Sequence, residues 1–248
     1  MEFITSIQNA KVKNYNKLKK KRVRDQQNRA IIEGFHLIEE AVKGQIKIEQ
    51  LFMIEPDRVA PLLKENAQEC YHINQKVAET LSGTVTPQGV FAVIEKPHVQ
   101  VDNARRVLIL DRIQDPGNVG TIIRTADAAG LDLIVLTKGT ADIYQEKVLR
   151  ASQGSVFHIP IKFIEDIHHY IDQFEGPVFG SALSQAVSYQ TVRPQQETFA
   201  LIVGNEGEGI DTSLLEKTTQ NLMIPIQGQA ESLNVAIATG ILMFHLRG

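Results

Sequence analysis

A chain of 248 residues with 43% hydrophobic content can bury one large core or two modest ones. No stretch approaches the roughly 20 apolar residues that cross a bilayer, and no apolar run follows the N-terminal charges, so a soluble cytoplasmic protein without a secretory signal is expected. The single Cys70 forms no internal disulfide, and seven scattered histidines without metal-ligand spacing predict no zinc site; His168 and His169 read as solvated surface residues.

The net charge of −3 conceals an asymmetry. Residues 1–29 hold nine Lys/Arg against Glu2 and Asp25, a charge of +7, whereas the other 219 residues carry 17 bases against 27 acids, or −10. A basic end on an acidic body suits a polyanion, with Lys11, Lys13, Lys19, Lys20, Lys21, Arg22 and Arg24 as candidate contacts. A solvated helix or a floppy arm is the plainer alternative. Next comes a short apolar run, Arg29 to Ile32, and then a helical stripe of Phe35, Leu37, Ile38, Ala41 and Val42 closed by Gly44. Leu51 to Ile54 reads as a buried strand, Pro56 as a helix start before Val59, Leu62 and Leu63, and Cys70 to Ile73 as another strand. Asn74 can cap the helix holding Val77, Ala78 and Leu81, and Pro87-Gln88-Gly89 turns into a strand over Val90 to Ile94. Residues 1–97 are therefore expected to form a small layered α/β domain.

Lys96 to Arg106 is polar and contains Pro97 and Asn103, which predicts a linker over 98–106 and a second domain over 107–248. That domain reads as strand 107–111, helix 118–129, strand 133–136, helix 145–151, strand 156–161, helix 164–174, strands 178–182 and 199–203, a short helix from about 212, strand 222–224 and a last helix from Ser232. Strands alternating with helices at this spacing predict a mostly parallel sheet. The last helix is apolar nearly all round and must be covered on most faces, which fits a homodimer contact.

The stretch Leu110 to Gly130 (LDRIQDPGNVGTIIRTADAAG) is strand, polar turn, helix. In the turn Pro fixes one dihedral, Gly frees another, and Asn118 can accept hydrogen bonds from an exposed helix start; Gly130 is the stop. Arg124 follows Asn118 by six residues, so both can be offered at the carboxyl end of a parallel sheet. A Rossmann fingerprint would place its glycines after the first strand, but here the Gly-rich loop, Gly204 to Gly209, comes about ninety residues later and lacks the Lys-Ser/Thr of a P-loop.

Leu110 to Gly130 resembles motif 1 of the SpoU (TrmH-like) branch of the SPOUT RNA methyltransferases. Ile202 to Ile210 (IVGNEGEGI) resembles motif 2, and Ile224 to Val235 (IPIQGQAESLNV) resembles motif 3, in order and at family spacing. The resemblance implies an α/β chain with a C-terminal SPOUT fold, a mostly parallel sheet and a deep trefoil knot. In front it implies a small L30e-like α/β domain that binds substrate RNA. It also implies S-adenosylmethionine as cofactor, a homodimer and no metal. Carried over residue by residue, Gly204, Asn205, Glu206, Gly207, Gly209, Ile224, Ile226, Gln227, Gly228, Ser232 and Leu233 are implied to surround the cofactor, with Gln229 bordering the pocket. Arg124 matches the catalytic arginine, and Asn118, Glu206, Ser232 and Asn234 match the other polar active-site positions.

In the chemistry so implied, a ribose 2′-hydroxyl attacks the methyl carbon while Arg124 lies against that hydroxyl and the adjoining phosphate. A free arginine, protonated throughout the working pH range, is a poor base, so proton loss is expected to need a phosphate-paired arrangement completed by RNA. Glu206 is expected to orient Arg124 by a charge-assisted bond, Asn118 to order the loop, and Ser232 to cap the last helix as well as fix the motif 3 turn. Arg150, in the stretch Arg150 to Ser155, is a candidate phosphate contact; a surface arginine favoured by a helix C-terminus is the alternative. The expected activity is 2′-O-methylation of RNA, foremost 23S ribosomal RNA. A tRNA target, a silent RNA-binding module and, less favoured for its glycine placement, a dinucleotide oxidoreductase stay open as alternatives.

Overall fold

The computed structural model describes all residues except those at positions 84, 85, 102 and 196; position 102, in the expected linker, thus lies outside the described residues. The chain forms two compact units, one of residues 1–98 with 144–157 and the other of residues 99–143 with 158–248.

The first unit opens with β1 (Glu2–Ile4), α1 (Ala10–Lys17), α2 (Lys21–Gln27), β2 (Arg29–Glu33) and α3 (Phe35–Lys43). It continues with β3 (Ile48–Met53), α4 (Pro61–Glu65), β4 (Ala67–Ile73), α5 (Gln75–Leu81) and β5 (Val90–Glu95). Its sheet runs β1-β4-β3-β5-β2, parallel from β1 to β3 and antiparallel across β5. The basic segment is not an arm. Val12, Tyr15 and Leu18 recur at helical spacing and are buried with Phe52, Tyr71 and Phe91, which leaves Lys13 and Lys17 exposed on the opposite side of α1. Tyr15 meets both Phe52 and Phe91 edge-on, at 5.8 and 6.2 Å between ring centres.

The second unit contains β6 (Arg106–Asp111), α6 (Pro116–Ala128) and β7 (Leu133–Leu136); α7 (Glu146–Ser152), next in sequence, packs within the first unit. Then follow β8 (Ile161–Phe163), α8 (Ile167–Asp172), β9 (Val178–Ser181), β10 (Ala186–Ser188), β11 (Phe199–Gly204), α9 (Thr212–Leu215), β12 (Gln220–Met223) and α10 (Val235–Arg247). All seven strands are parallel, in the order β10-β12-β9-β11-β6-β7-β8. Parallel sheets are covered on both faces, which is why Val107–Leu110 and Phe199–Val203 are continuous apolar runs with at most 1% exposure. Val107, Ile109, Ala200 and Ile202 pack against Ile167 and Ile171 of α8 and Leu214 of α9, while α10 packs on α6 and β11. The chain proceeds outward from β6 through β7 to β8 and then resumes on the other side with β9. The order therefore reverses between β6 and β11, whose last residues, Asp111 and Gly204, lie in register. Open α/β sheets build their sites at such a reversal, outside the carboxyl ends of the strands.

Several element boundaries differ from the sequence reading for local reasons. The run 156–161 is not one strand. Gln153 and Gly154, at φ +52° and +92°, turn the chain, Ser155–Phe157 form a 3-10 turn, and β8 begins only at Ile161, after Pro160. The last helix starts at Val235, and its cap is Asn234, whose Oδ1 accepts from the amides of Ala236 and Ile237 at 2.9 and 3.4 Å; Ser232 does not cap it. Helix α6 is capped by Asp115, which accepts from the Asn118 amide at 2.9 Å, with Pro116 at its first position. Gly130 closes α6 as expected, at φ +67°.

Candidate active site

Because Asp115 takes the cap, the Asn118 side chain is free to bond elsewhere. Its Nδ2 donates to Glu206 Oε1 at 3.0 Å, and its Oδ1 accepts from Asn234 Nδ2 at 2.9 Å. One amide thus joins the turn after β6, the loop after β11 and the start of α10, three stretches separated by 88 and 116 positions in the chain. Glu206 also accepts from the amides of Gln114 and Asp115, both at 3.2 Å. Burial opposes its ionisation, but the bonds from Asn118 and from the Glu206, Gln114 and Asp115 amides outweigh that and hold its carboxyl below the usual carboxylate range.

The loop after β11 is shaped by its own backbone. Asn205 Oδ1 accepts from the amides of Gly207 and Glu208 at 2.9 and 3.0 Å, and Gly209 N returns to Asn205 O at 2.9 Å. A Cβ at Gly204 would stand 2.2 Å from the Ile210 amide nitrogen, so the loop can fold back here only because residue 204 is glycine.

This loop borders a pocket of about 390 Å³. Gly204, Asn205, Glu206 and Gly209 form one wall; Ile224, Ile226, Ser232, Leu233 and Asn234 form another; Ser181, Ala182 and Leu183, after β9, form the third. The size and the mixture of apolar side chains with open main-chain groups suit a nucleoside-bearing cofactor. Of the expected cofactor residues, Gly207, Gln227 and Gly228 are not among the wall residues. The β9 residues escaped the sequence reading, although β9 neighbours β11 and its carboxyl end must therefore border the same crevice. Asp111, the last residue of β6, and Arg112 bond to the 208–211 segment and were not singled out either, since a charged pair at a strand end carries no distinctive spacing.

Arg124 sits elsewhere on α6, on an exposed stripe with Thr121 and Ala128. Among the described residues no hydrogen bond or ion pair engages it. The expected Glu206–Arg124 bond is not formed, because the Glu206 oxygens are taken by Asn118 and the 114–115 amides.

The basic residues divide by environment. Arg24 is 5% exposed and donates to the carbonyls of Leu18 and Lys19, both at 2.8 Å, so it closes the corner between α1 and α2 rather than presenting charge to a ligand. Lys11 bonds Tyr71 Oη and pairs with Glu69, Lys19 donates to the carbonyls of Thr80 and Ser82, Lys21 pairs with Asp25, and Arg150 pairs with Glu146. Lys13, Lys17, Lys20 and Arg22 are exposed, and no ion pair with a described residue engages them. Among the described residues no group of three His, Cys, Asp or Glu is placed to hold a metal ion.

A switch-point pocket over a parallel sheet, walled by a folded-back glycine loop and joined through one asparagine, sits in a fold that matches methyltransferases of the SPOUT class. Residues 105–244 match the SpoU rRNA methylase family and residues 9–92 match an MRM3-like substrate binding domain. The chain belongs to the SpoU rRNA methylase family. It is 47% identical, over the whole of both chains, to the Bacillus subtilis 23S rRNA (guanosine(2553)-2′-O)-methyltransferase RlmP. An AdoMet-bound rRNA methyltransferase from Sinorhizobium meliloti superimposes with a TM-score of 0.89 at 33% identity, over 99% of this chain and 97% of that one. The AdoMet complex of AviRb from Streptomyces viridochromogenes shares the fold, with a TM-score of 0.84 at 23% identity over 96% and 97%. This chain is accordingly an S-adenosylmethionine-dependent RNA methyltransferase.

Proposed function

We propose that the chain methylates a ribose 2′-hydroxyl of 23S ribosomal RNA, at the guanosine corresponding to the target of the Bacillus subtilis relative. Residues 1–97 engage the RNA, 98–106 are the linker, and 107–248, apart from 144–157, which pack within the first unit, carry the chemistry. The observation that carries this reading is the Glu206–Asn118–Asn234 chain of hydrogen bonds, which ties the motif 1 turn to the two motif loops that wall the pocket. The full-length likeness to the Bacillus relative supports the RNA class.

Bound S-adenosylmethionine supplies an electrophilic methyl group on its sulfonium. Gly204, Asn205, Gly209, Ile224, Ile226 and Leu233, which line the pocket, would hold it, largely by main chain and apolar contact, while Gln227 and Gly228, outside the walls, are assigned to it by the motif 3 resemblance alone. Asn118 keeps the loops in register, Asn234 caps α10, Ser232 lines the pocket beside it, and Glu206 holds the 114–115 amides. Arg124, with its five N–H donors uncommitted, places the ribose hydroxyl and the neighbouring phosphate; its part is positioning, worth several orders of magnitude when reacting atoms are aligned.

The reading includes the knot. β12 lies two places from β11 in the sheet, yet the chain beyond it returns to lay α10 against α6 and β11, a path that suits a C-terminal segment drawn back through the strand ends. It also includes a homodimer: Ile237 and Phe244 leave α10 with an apolar face 55% and 53% exposed at those residues. Phe244→Lys is then expected to sediment as a monomer where the parent chain does not. A cytoplasmic location accords with ribosomal RNA as substrate; among the described residues no helix is long and apolar enough to cross a membrane.

The experiment is transfer of labelled methyl from S-adenosylmethionine to 23S rRNA and, separately, to tRNA, by the parent chain and Arg124→Ala, followed by mapping of the methylated ribose. Label in 23S rRNA with the parent chain alone supports the reading. Label confined to tRNA overturns the substrate, and cofactor binding without transfer to either RNA favours a silent module.

A further inference from the structure

The glycine loop is gripped by Arg112, a residue that does not line the pocket and that the reaction as described does not use. Arg112 follows β6 at φ +58°, a left-handed conformation that glycine adopts far more readily than any branched side chain. Two bonds keep it there: its amide donates to Thr137 Oγ1 at 3.1 Å, and its carbonyl accepts from Asn205 Nδ2 at 3.0 Å. From that position the guanidinium reaches three acceptors. Nε and Nη2 donate to the Asp111 carboxylate at 3.3 and 3.1 Å, Nη1 donates to Glu208 Oε2 at 2.7 Å, and Nη2 also donates to the Gly209 carbonyl at 3.3 Å.

Asp111, the anchor of this grip, is 3% exposed and fixed in turn by the Asp211 amide at 3.0 Å and by Thr137 Oγ1 at 3.2 Å. The bond to Asp111, aided by the charges of Asp111, Glu208 and Asp211, raises the guanidinium pKa despite partial burial, so the guanidinium stays charged. A planar fork with donors on both edges can hold a carboxylate on one side and a loop on the other; an ammonium cannot match that geometry. A strained backbone conformation retained at an arginine is a reason to ask what the side chain does.

We infer that Arg112 is a positioning residue for the cofactor: by tying Glu208 and the Gly209 carbonyl to the end of β6, it sets the face that Gly204, Asn205 and Gly209 turn toward the pocket. The inference rests on that pocket being the S-adenosylmethionine site. A purely structural strut would change stability and leave cofactor affinity in the folded enzyme untouched.

Arg112→Gly separates the two, because glycine accepts the positive φ while the whole side chain, guanidinium included, is removed. With S-adenosylmethionine in a calorimetric titration, and with methyl transfer to 23S rRNA, Arg112→Gly is expected to raise the cofactor Kd and KM about tenfold or more, with KM for RNA within about twofold. Arg112→Lys, keeping charge without the fork, should recover only part of the loss. Glu208→Gln, at an exposed arm of the grip, should raise the cofactor Kd about twofold to fivefold. A parent-like Kd in Arg112→Gly overturns the inference, as does an equal loss of RNA and cofactor affinity. Should Arg112→Gly fail to fold, an unchanged cofactor Kd in Glu208→Gln overturns it instead. A parent chain that binds no S-adenosylmethionine sinks the underlying reading, whereas equal binding by the parent, Arg112→Gly and Glu208→Gln sinks only the role of Arg112.

Discussion

Asn118 occupies a position that only an amide can fill without conflict. It must donate to a carboxylate, Glu206, and accept from an amide, Asn234. Asn118→Asp would set a second carboxylate within hydrogen-bond distance of Glu206 and lose the donor, so it is expected to weaken cofactor binding and transfer more than Asn118→Ala does. Arg124 is the contrasting case. It is exposed and makes no bond with a described residue, so Arg124→Ala should fold and bind cofactor as the parent does while transfer falls at least about a hundredfold, the scale of a lost positioning group. Single-turnover transfer, calorimetry and thermal unfolding, run on the three variants, check the contrast. pH probes the same cluster. The folded-state pKa of Glu206 is depressed, so its contribution is fully present above the unfolded carboxyl value of about 4.3 and is lost as pH falls through the folded value. Cofactor affinity should therefore be flat in this group from pH 8 down to about 5 and fall only below that. An inflection near pH 6 in a calorimetric series, absent in Glu206→Gln, would show that Glu206 is not held as described.

At the scale of elements, helix α6 depends on Asp115 more than on the asparagine that first attracts notice. The Asp115 carboxylate accepts from the Asn118 amide at 2.9 Å, at the positive end of the helix dipole. Asp115→Ala is expected to cost about 1 kcal/mol of stability, with Asp115→Asn close to parent, as read by urea unfolding. It should also weaken cofactor binding, because the amides that hold Glu206 lie in the same turn. The existence of these elements was legible in the sequence, since the apolar periodicity of Val119, Ile122, Ile123 and Ala126 and the runs at 107–110 and 199–203 leave little choice. What local pattern could not decide was which of several polar residues serves as a cap. Asp115 or Asn118, and Ser232 or Asn234, are chemically equivalent at that level, and the choice is settled by long-range bonds between Asn118, Glu206 and Asn234. β1 and β10 were illegible because three-residue edge strands carry almost no pattern. The run from Val156 to Ile161 misled because an apolar segment looks alike whether it pairs in a sheet or turns into a core; the left-handed Gln153 and Gly154 decide it. The convergence of the three motif loops came from family resemblance, not from periodicity, as no local rule links positions 118, 206 and 234.

For the whole molecule, the charge asymmetry is the property that the fold converts into a surface. The +7 of residues 1–29 does not reach solvent evenly: Arg24 is consumed by carbonyls, Lys21 by Asp25, and Lys11 by Tyr71 and Glu69. Helices α1 and α2 turn their apolar residues inward, so Lys13, Lys17, Lys20 and Arg22 remain as exposed cations unpaired with any described residue, and Lys17 joins the set although the sequence reading passed over it. Contacts with phosphates release counterions, which makes affinity fall with salt at a slope of about 0.7 to 0.9 per contact. If those four cations meet four phosphates, replacing all four with Gln should lower the slope of log affinity against log salt by about 3, while the Kd for S-adenosylmethionine stays at the parent value. Replacing Arg24 instead should reduce thermal stability and leave the slope nearly unchanged in the folded fraction, because its guanidinium is bound to the carbonyls of Leu18 and Lys19. Filter binding of an RNA fragment across a salt series measures both. A slope that drops for Arg24→Gln but not for the fourfold variant would place the RNA on a different face of the protein and remove the reason for reading the basic end as its binding surface.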